Sequence, residues 1–285
     1  MKRAFYFALI CAVVLCSAFM LIYEPQMTHT VLQEGEMRVH FLDVGQADCQ
    51  IIELPNGKLM MIDAGNNDDG GLICNYLDSL NVSHIDYLVG THPHEDHIGS
   101  LDTVIENYSV GKVFMPDAKA DSKSYSDVIK AIEESSVPLI TTDSETVICE
   151  SDDLEIRSVA PVYTYEDLNN QSIVIRLTYK DSSFLFTGDS EEESENDIYE
   201  NIEADVLSVG HHGSSTSTSH FFLKRVDPMY AVISCGEDND YGHPHWETLD
   251  KLENDDVTLF RTDTMGTIIC TTKGEKGDYS WETEK

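Results

Sequence analysis

The chain has 285 residues, 41% of them hydrophobic, and a formal net charge of −34. That length and apolar content exclude a disordered acidic tail and allow a sizeable buried core. The acidity excludes recruitment of polyanions through a broad basic surface, so any nucleic-acid chemistry must rest on a local site.

The first element stands apart. In "MKRAFYFALICAVVLCSAFMLIY" two bases, Lys2 and Arg3, precede an uncharged stretch from Ala4 to Tyr23. A spanning helix needs about 20 apolar residues, whereas a secretory core is usually about 7–15. Residues 1–23 therefore read first as an uncleaved signal anchor. The bases stay in the cytoplasm and the remainder lies outside it. A cleaved signal peptide is the alternative, although "CSA" is a poor cleavage site, and a lipoprotein at Cys16 is the third reading, opposed by bulky Leu15. All three export the chain, as a single-pass protein of the cell membrane or as a secreted one. Residues 24–36 form a polar linker, and residues 37–285 form one domain. Residues 24–285, linker and domain together, keep 16 basic and all 52 acidic residues, a net charge of −36.

Within the domain, "MRVHFLDV", "CQIIEL" and "KLMMIDAG" read as strands, with "PNGK" as a turn. "GLICNYLDSL" has helical spacing, "IDYLVG" is a strand, and "THPHEDHIG" is a loop leading into a helix that runs to about Tyr108. "GKVFMPD" is a strand, and "SYSDVIKAIEESS" is an amphipathic helix stopped by Pro138. The second half reads as strands "TVICE", "LEIRSVA", "SIVIRLTYK" and "SFLFTGD", then a helix "SEEESENDIYENI". "ADVLSVG" leads into "HHGSSTSTS", followed by a helix "HFFLKRV", the strand "YAVISCG", the loop "NDYGHPH", a helix "WETLDKLEN" and closing strands "VTLFRT" and "GTIICTT". Two sheets facing each other with helices outside satisfy this pattern. The five cysteines beyond the first segment lie in apolar contexts without CxxC spacing, which predicts buried free thiols rather than a cysteine-only zinc site; one disulfide stays open.

His92, His94, Asp96 and His97 fall within six positions at the end of a strand. Imidazoles two apart on a short loop can converge on one ion while Asp96 and His97 face a second. This donor set suits zinc, manganese or iron and is poor for calcium. A chance surface cluster is the plain alternative, and the partners supplied by the rest of the chain weigh against it.

"THPHEDHIG" resembles the HxHxDH signature of the metallo-β-lactamase superfamily. "MMIDAG" and "FLFTGD" resemble the two aspartate-bearing strand ends that accompany it. More narrowly, "VHFLDVGQADC", "NNQSIVIRL", "SVGHHGSSTSTS", "AVISCG", "DYGHPH" and "FRTDTMGTI" resemble the soluble domain of ComEC-type competence proteins, in order from about Met37 to Thr271. The long multi-helix channel of such proteins has no counterpart here. The resemblance implies an α/β fold, a four-layer αββα metallo-β-lactamase sandwich, and a metal-dependent hydrolase using two divalent transition-metal ions, zinc or manganese. It places His92 and His94 on one ion and Asp96 and His97 on the other, with Asp189 between them and Asp63 orienting the histidine loop. Either His211 or His212 completes the second site, with His212 preferred from its spacing.

His243 and His245 either contact substrate or the metal edge, or belong to a turn fixed by Pro244. Ser214 and the hydroxyls and amides of "SSTSTS" either cradle an oxyanion or cap a helix. Between His97 and His211 there is no histidine, where many members carry one. Asn169 or Asn170 stands near that place, and an amide oxygen there would tilt the first site toward manganese.

The expected function is an extracytoplasmic phosphodiesterase or nuclease, with Asp96 or Asp189 taking a proton and single-stranded DNA as one substrate. The alternatives are a hydrolase of a small ester, lactone or phosphoester at the cell surface, and an inert binding module. No protein partner is legible.

Overall fold

A computed structural model describes residues 31–285 of the chain. The expected anchor and most of the linker lie outside the described residues, among which no helix is long and apolar enough to cross a membrane.

The strands form because apolar residues alternate with a period of two, giving each sheet two buried faces. In β1 (Met37–Phe41), Met37, Val39 and Phe41 enter one core, while Arg38 and His40 point to the opposite face. In β2 (Gln50–Glu53) and β3 (Leu59–Ile62), Ile52, Met60 and Ile62 join that core, and Ile51 and Met61 enter a second one on the other side. The first sheet continues through β4 (His84–Val89), β5 (Ser109–Met115) and β6 (Leu139–Thr141). Its outer face is covered by α1 (Gly70–Ser79), α3 (Leu101–Asn107) and α4 (Lys123–Ser135) through Ile73, Leu101, Val104 and Val128. The short α2 (Glu95–Ile98) carries the end of the histidine loop.

The second sheet comprises β7 (Val147–Glu150), β8 (Leu154–Ala160), β9 (Val174–Tyr179), β10 (Ser182–Phe186), β11 (Val206–Ser208), β12 (Tyr230–Ile233) and β13 (Thr258–Arg261). Around it lie α5 (Glu192–Asp197), α6 (His220–Val226) and α7 (Trp246–Asn254). Phe222, Val226 and Leu252 of the last two pack on its outer face, forming a third core. The two sheets meet through Ile52, Ile62, Ile175, Phe184 and their neighbours, with Phe41 and Phe186 6.2 Å apart across the seam. Burying each such side chain contributes about 1.5–3 kcal/mol. Helix, sheet, sheet, helix is the expected four-layer order.

Two features depart from the sequence reading. The helix expected over "SEEESENDIYENI" ends at Asp197, because Ile198 turns extended and joins Ile202 in the outer core. The closing strands also part company. After α8 (Thr262–Met265), β14 (Ile268–Thr272) crosses to the first sheet and pairs antiparallel with β1. An unexpected β15 (Ser280–Thr283) follows it, its Trp281 stacked 4.2 Å from Phe260. The first sheet thus has eight strands, in the order β15-β14-β1-β2-β3-β4-β5-β6, and the second has seven. All five described cysteines are free; Cys49, Cys235 and Cys270 are buried, but Cys74 and Cys149, expected to be buried, are only partly so.

Each sheet has a parallel half that runs to one edge, β3-β4-β5-β6 in the first and β10-β11-β12-β13 in the second. Their carboxyl ends carry the loops that follow β3, β4, β10, β11 and β12, which is where open α/β sheets bind ligands.

Candidate functional site

Asp63 ends β3 in the left-handed region, with φ 59°, and its carboxylate organises the histidine loop. One oxygen accepts the Thr91 amide at 2.8 Å; the other accepts the Thr91 hydroxyl at 2.7 Å and His97 Nδ1 at 2.8 Å. Because the acceptor is a carboxylate, His97 carries its proton on Nδ1 and turns a lone pair outward from Nε2. Gly99 closes the loop onto the strand end: a Cβ there would lie 2.4 Å from the backbone of Asn66 and Asn67. Burial raises the pKa of Asp63, only partly offset by His97.

Asp189 follows β10, its amide donating to Ser172 Oγ at 3.0 Å, and that oxygen lies 3.3 Å from His92 Nδ1. Burial opposes charge on Asp189, but His97 and His212 outweigh it and hold the carboxyl well below the usual range. His211 and His212 form a turn in the left-handed region, both with φ 52°. His212 Nδ1 donates to the Ser234 carbonyl at 3.0 Å, so its Nε2 also presents a lone pair.

The outward lone pairs converge. His97 Nε2 lies 3.1 Å from Asp189 Oδ1, yet neither atom has a hydrogen-bond partner. His212 Nε2 is 3.3 Å from Asp96 Oδ2 and 3.8 Å from Asp189 Oδ1. His92 Nε2 sits 3.0 Å from His94 Nδ1 and 3.8 Å from Asp189 Oδ2. Where His97 and His212 meet the carboxylates, acceptor faces acceptor unless a positive charge lies among them, whereas His92 and His94 share a hydrogen bond. Two ligand groups result, Asp96-His97-Asp189-His212 and His92-His94-Asp189, each with its atoms within 4.8 Å of one another and both containing Asp189. Imidazole and carboxylate at this spacing fit divalent transition metals.

Residues 42–237 match the metallo-beta-lactamase superfamily. The chain belongs to that superfamily. It is a superfamily of metal-dependent hydrolases. The chain is 29% identical over 268 residues to ComE operon protein 3 of Bacillus subtilis (strain 168), a match covering 87% of this chain and 34% of that protein. It is 28% identical over 263 residues to Competence protein ComA of Neisseria gonorrhoeae, covering 90% of this chain and 35% of that protein. The chain therefore spans about a third of the length of these relatives. Among solved structures, the metallo-beta-lactamase fold protein YhfI from Bacillus subtilis has a TM-score of 0.51 at 12% identity, covering 79% of this chain and 96% of that one. The fold is shared.

Around this cluster, the remaining residues of interest divide. His211 turns Nε2 to Asp189 Oδ2 at 3.6 Å and is held through Nδ1 by Glu191, 3.2 Å away. His243 reaches the cluster, its ring centroid 5.6 Å from that of His211 and 6.3 Å from that of His212. Burial, then His212, His245 and His211, push its pKa down to about 4. His245 has no nitrogen to spare: Nδ1 accepts the Ser215 amide at 3.0 Å and Nε2 meets the Tyr241 carbonyl at 3.3 Å. It belongs to the turn.

Asn170 does not offer its oxygen to an ion, since Oδ1 already accepts the amides of Glu191 and Ser194 at 3.1 and 3.2 Å. Nor do the "SSTSTS" amides form an open cradle. The N–H groups of Ser214 through Ser219 all have protein acceptors: His211 O, His245 Nδ1, Ser214 Oγ, Ser214 O and, for the last two, Glu195. Ser219 caps α6 and the Ser214 hydroxyl meets Thr216, so capping and loop closure account for this run.

Sequence reading missed Thr91, Ser172, Glu191, Asp48 and Gln46. Asp48 forms a third buried acidic group with Asp63 and His97, and Gln50 donates to it at 3.1 Å. The hydroxyl of Ser172, one residue beyond "NNQ", was the nearest available signal for the contact assigned to an asparagine.

Proposed function

We propose that the chain is a metal-dependent phosphodiesterase acting outside the cytoplasm, with single-stranded DNA among its substrates. The observation that carries this reading is the convergence of six side chains on two groups joined at Asp189. His92, His94 and Asp189 would hold one zinc or manganese ion, and Asp96, His97, His212 and Asp189 the other. Such ions supply Lewis-acid charge and make water acidic enough to ionise near neutral pH. The protein's own contribution is orientation. Asp63 and the Ser234 carbonyl fix the tautomers of His97 and His212, and Ser172 braces His92 against the Asp189 loop. Asp96, with 32% of its side chain exposed against 3% for Asp189, is the carboxylate placed to accept a proton from solvent or substrate.

Similarity to competence proteins supports a DNA-related substrate. The charge of the molecule favours a second reading, hydrolysis of a small, weakly charged ester on the same ions. The deciding assay compares a short DNA single strand, bis(p-nitrophenyl) phosphate and p-nitrophenyl acetate with manganese or zinc added. Metal-dependent turnover of the first two is expected. Turnover of the acetate alone would select the second reading, and a fully loaded protein that turns over none would leave a binding module. Export, with Lys2 and Arg3 inside, predicts that protease added to intact cells reaches the acidic domain; protection from it would refute that placement.

A further inference from the structure

With the "SSTSTS" amides committed, the loop after β12 offers another group that can meet a substrate oxygen. Gly236 donates its amide to Gln46 Oε1 at 3.0 Å. A backbone N–H is only ever a donor, so the Gln46 atom facing it is the oxygen, and the orientation of this amide is fixed. Its nitrogen then faces His243 Nδ1 at 3.2 Å. An amide NH₂ only donates, so Nδ1 must accept, and the proton of a neutral His243 sits on Nε2. Nε2 has no protein partner among the described residues.

The surrounding contacts hold Gln46 and His243 in this arrangement. Asn239 donates to the carbonyls of both Gly236 and His243, at 2.8 and 2.6 Å, and accepts the His243 amide at 3.0 Å. Gly236 permits the approach: a Cβ there would lie 2.8 Å from the backbone nitrogen of Gln46. The Tyr241 ring stacks on the imidazole at 5.7 Å.

We infer that Gln46 is a positioning residue that locks His243 in the Nε2–H form, making it a neutral hydrogen-bond donor to an oxygen of the substrate beside the metal-ligand cluster. This rests on the hydrolase reading for what the N–H meets, but not for which nitrogen bears the proton.

The test uses the full chain labelled with ¹⁵N-histidine, with His243 assigned by its loss in His243→Asn. Wild type should show Nε2 protonated and Nδ1 bare. Gln46→Glu keeps an acceptor for Gly236 but presents only oxygens to the imidazole, so the proton should appear on Nδ1. Gln46→Met, which keeps the bulk and adds no charge, should give a mixture of tautomers and serves if the glutamate variant does not fold. A wild-type proton on Nδ1, or tautomers unchanged in both variants, would overturn the inference.

With bis(p-nitrophenyl) phosphate, His243→Ala should lower kcat on the order of 10²-fold, the usual loss for one aimed donor. Gln46→Met should lower kcat in the same direction and add nothing in the His243→Ala background. Losses that multiply in the double variant would also overturn it. A wild-type chain that shows the expected tautomer yet turns over no phosphodiester counts against the hydrolase reading alone.

Discussion

At the scale of single residues, the site is built from pairs in which one partner fixes where the other keeps its proton. Asp63 does so for His97, bonded at 2.8 Å. Asp63→Asn would present either a weaker acceptor or a competing donor to Nδ1. Loss of such a supporting carboxylate typically costs 10–100-fold in metal affinity. Competition with a chromophoric chelator should register that weakening, and unchanged affinity would remove Asp63 from its orienting role. Elemental analysis should find close to two transition-metal ions in the purified chain and most of them gone from the His94→Ala, Asp189→Ala double variant; full occupancy there would refute the ligand assignment. The histidine loop was legible because its four ligand-type residues are neighbours in sequence. Ser172 and Gln46 were not, for their contacts are with His92, 80 residues away, and His243, 197 away. No local pattern of residue types announces a contact made across two sheets.

At the scale of elements, three outer helices meet around the loop that carries the site. Glu195 of α5, 1% exposed, accepts the amides of Thr218 and Ser219 ahead of α6, while Lys251 of α7 donates to the carbonyls of Ser217 and Thr218. Burial pushes the Glu195 pKa up to about 7 from 4.5, against the pull of those amides. The native state therefore holds this proton more tightly than the unfolded chain does. Its contribution to stability is fully present below pH 4.5 and is lost as pH rises toward 7. In urea unfolding, the stability of wild type relative to Glu195→Gln should fall by on the order of 2–3 kcal/mol between pH 4 and pH 8. A difference that stays flat would show that the native carboxyl titrates normally. Element type was readable from periodicity in most of the chain. What periodicity could not assign was membership: "GTIICTT" reads as a strand, but nothing local says that Ile268 and Cys270 pack in the first sheet rather than continue the second.

At the scale of the whole molecule, charge and chemistry pull apart. A DNA hydrolase that binds through basic side chains loses affinity with salt at a slope of about −0.7 per phosphate neutralised on a single strand. Here 18 bases face 52 acids, so a DNA substrate would have to be held chiefly by bound ions and by few polar groups. Initial rates on a short single strand at saturating metal should stay level with added sodium chloride, or rise at first as repulsion is screened. A steep fall seen with DNA and not with an uncharged ester would reveal a basic groove.

The pairing of β14 with β1 has a consequence for how the chain comes into being. The ribosome delivers Met37–Phe41 long before Ile268–Thr272, yet each strand satisfies the other's backbone donors and acceptors. Until the late strand emerges, the early one is an open edge bearing Met37, Val39 and Phe41, a template for pairing with the wrong chain. Contacts so distant in sequence also slow folding, since a long loop must close before they form. The nascent domain must therefore spend its synthesis unfinished, and a high net charge of one sign is the general means by which such chains repel one another.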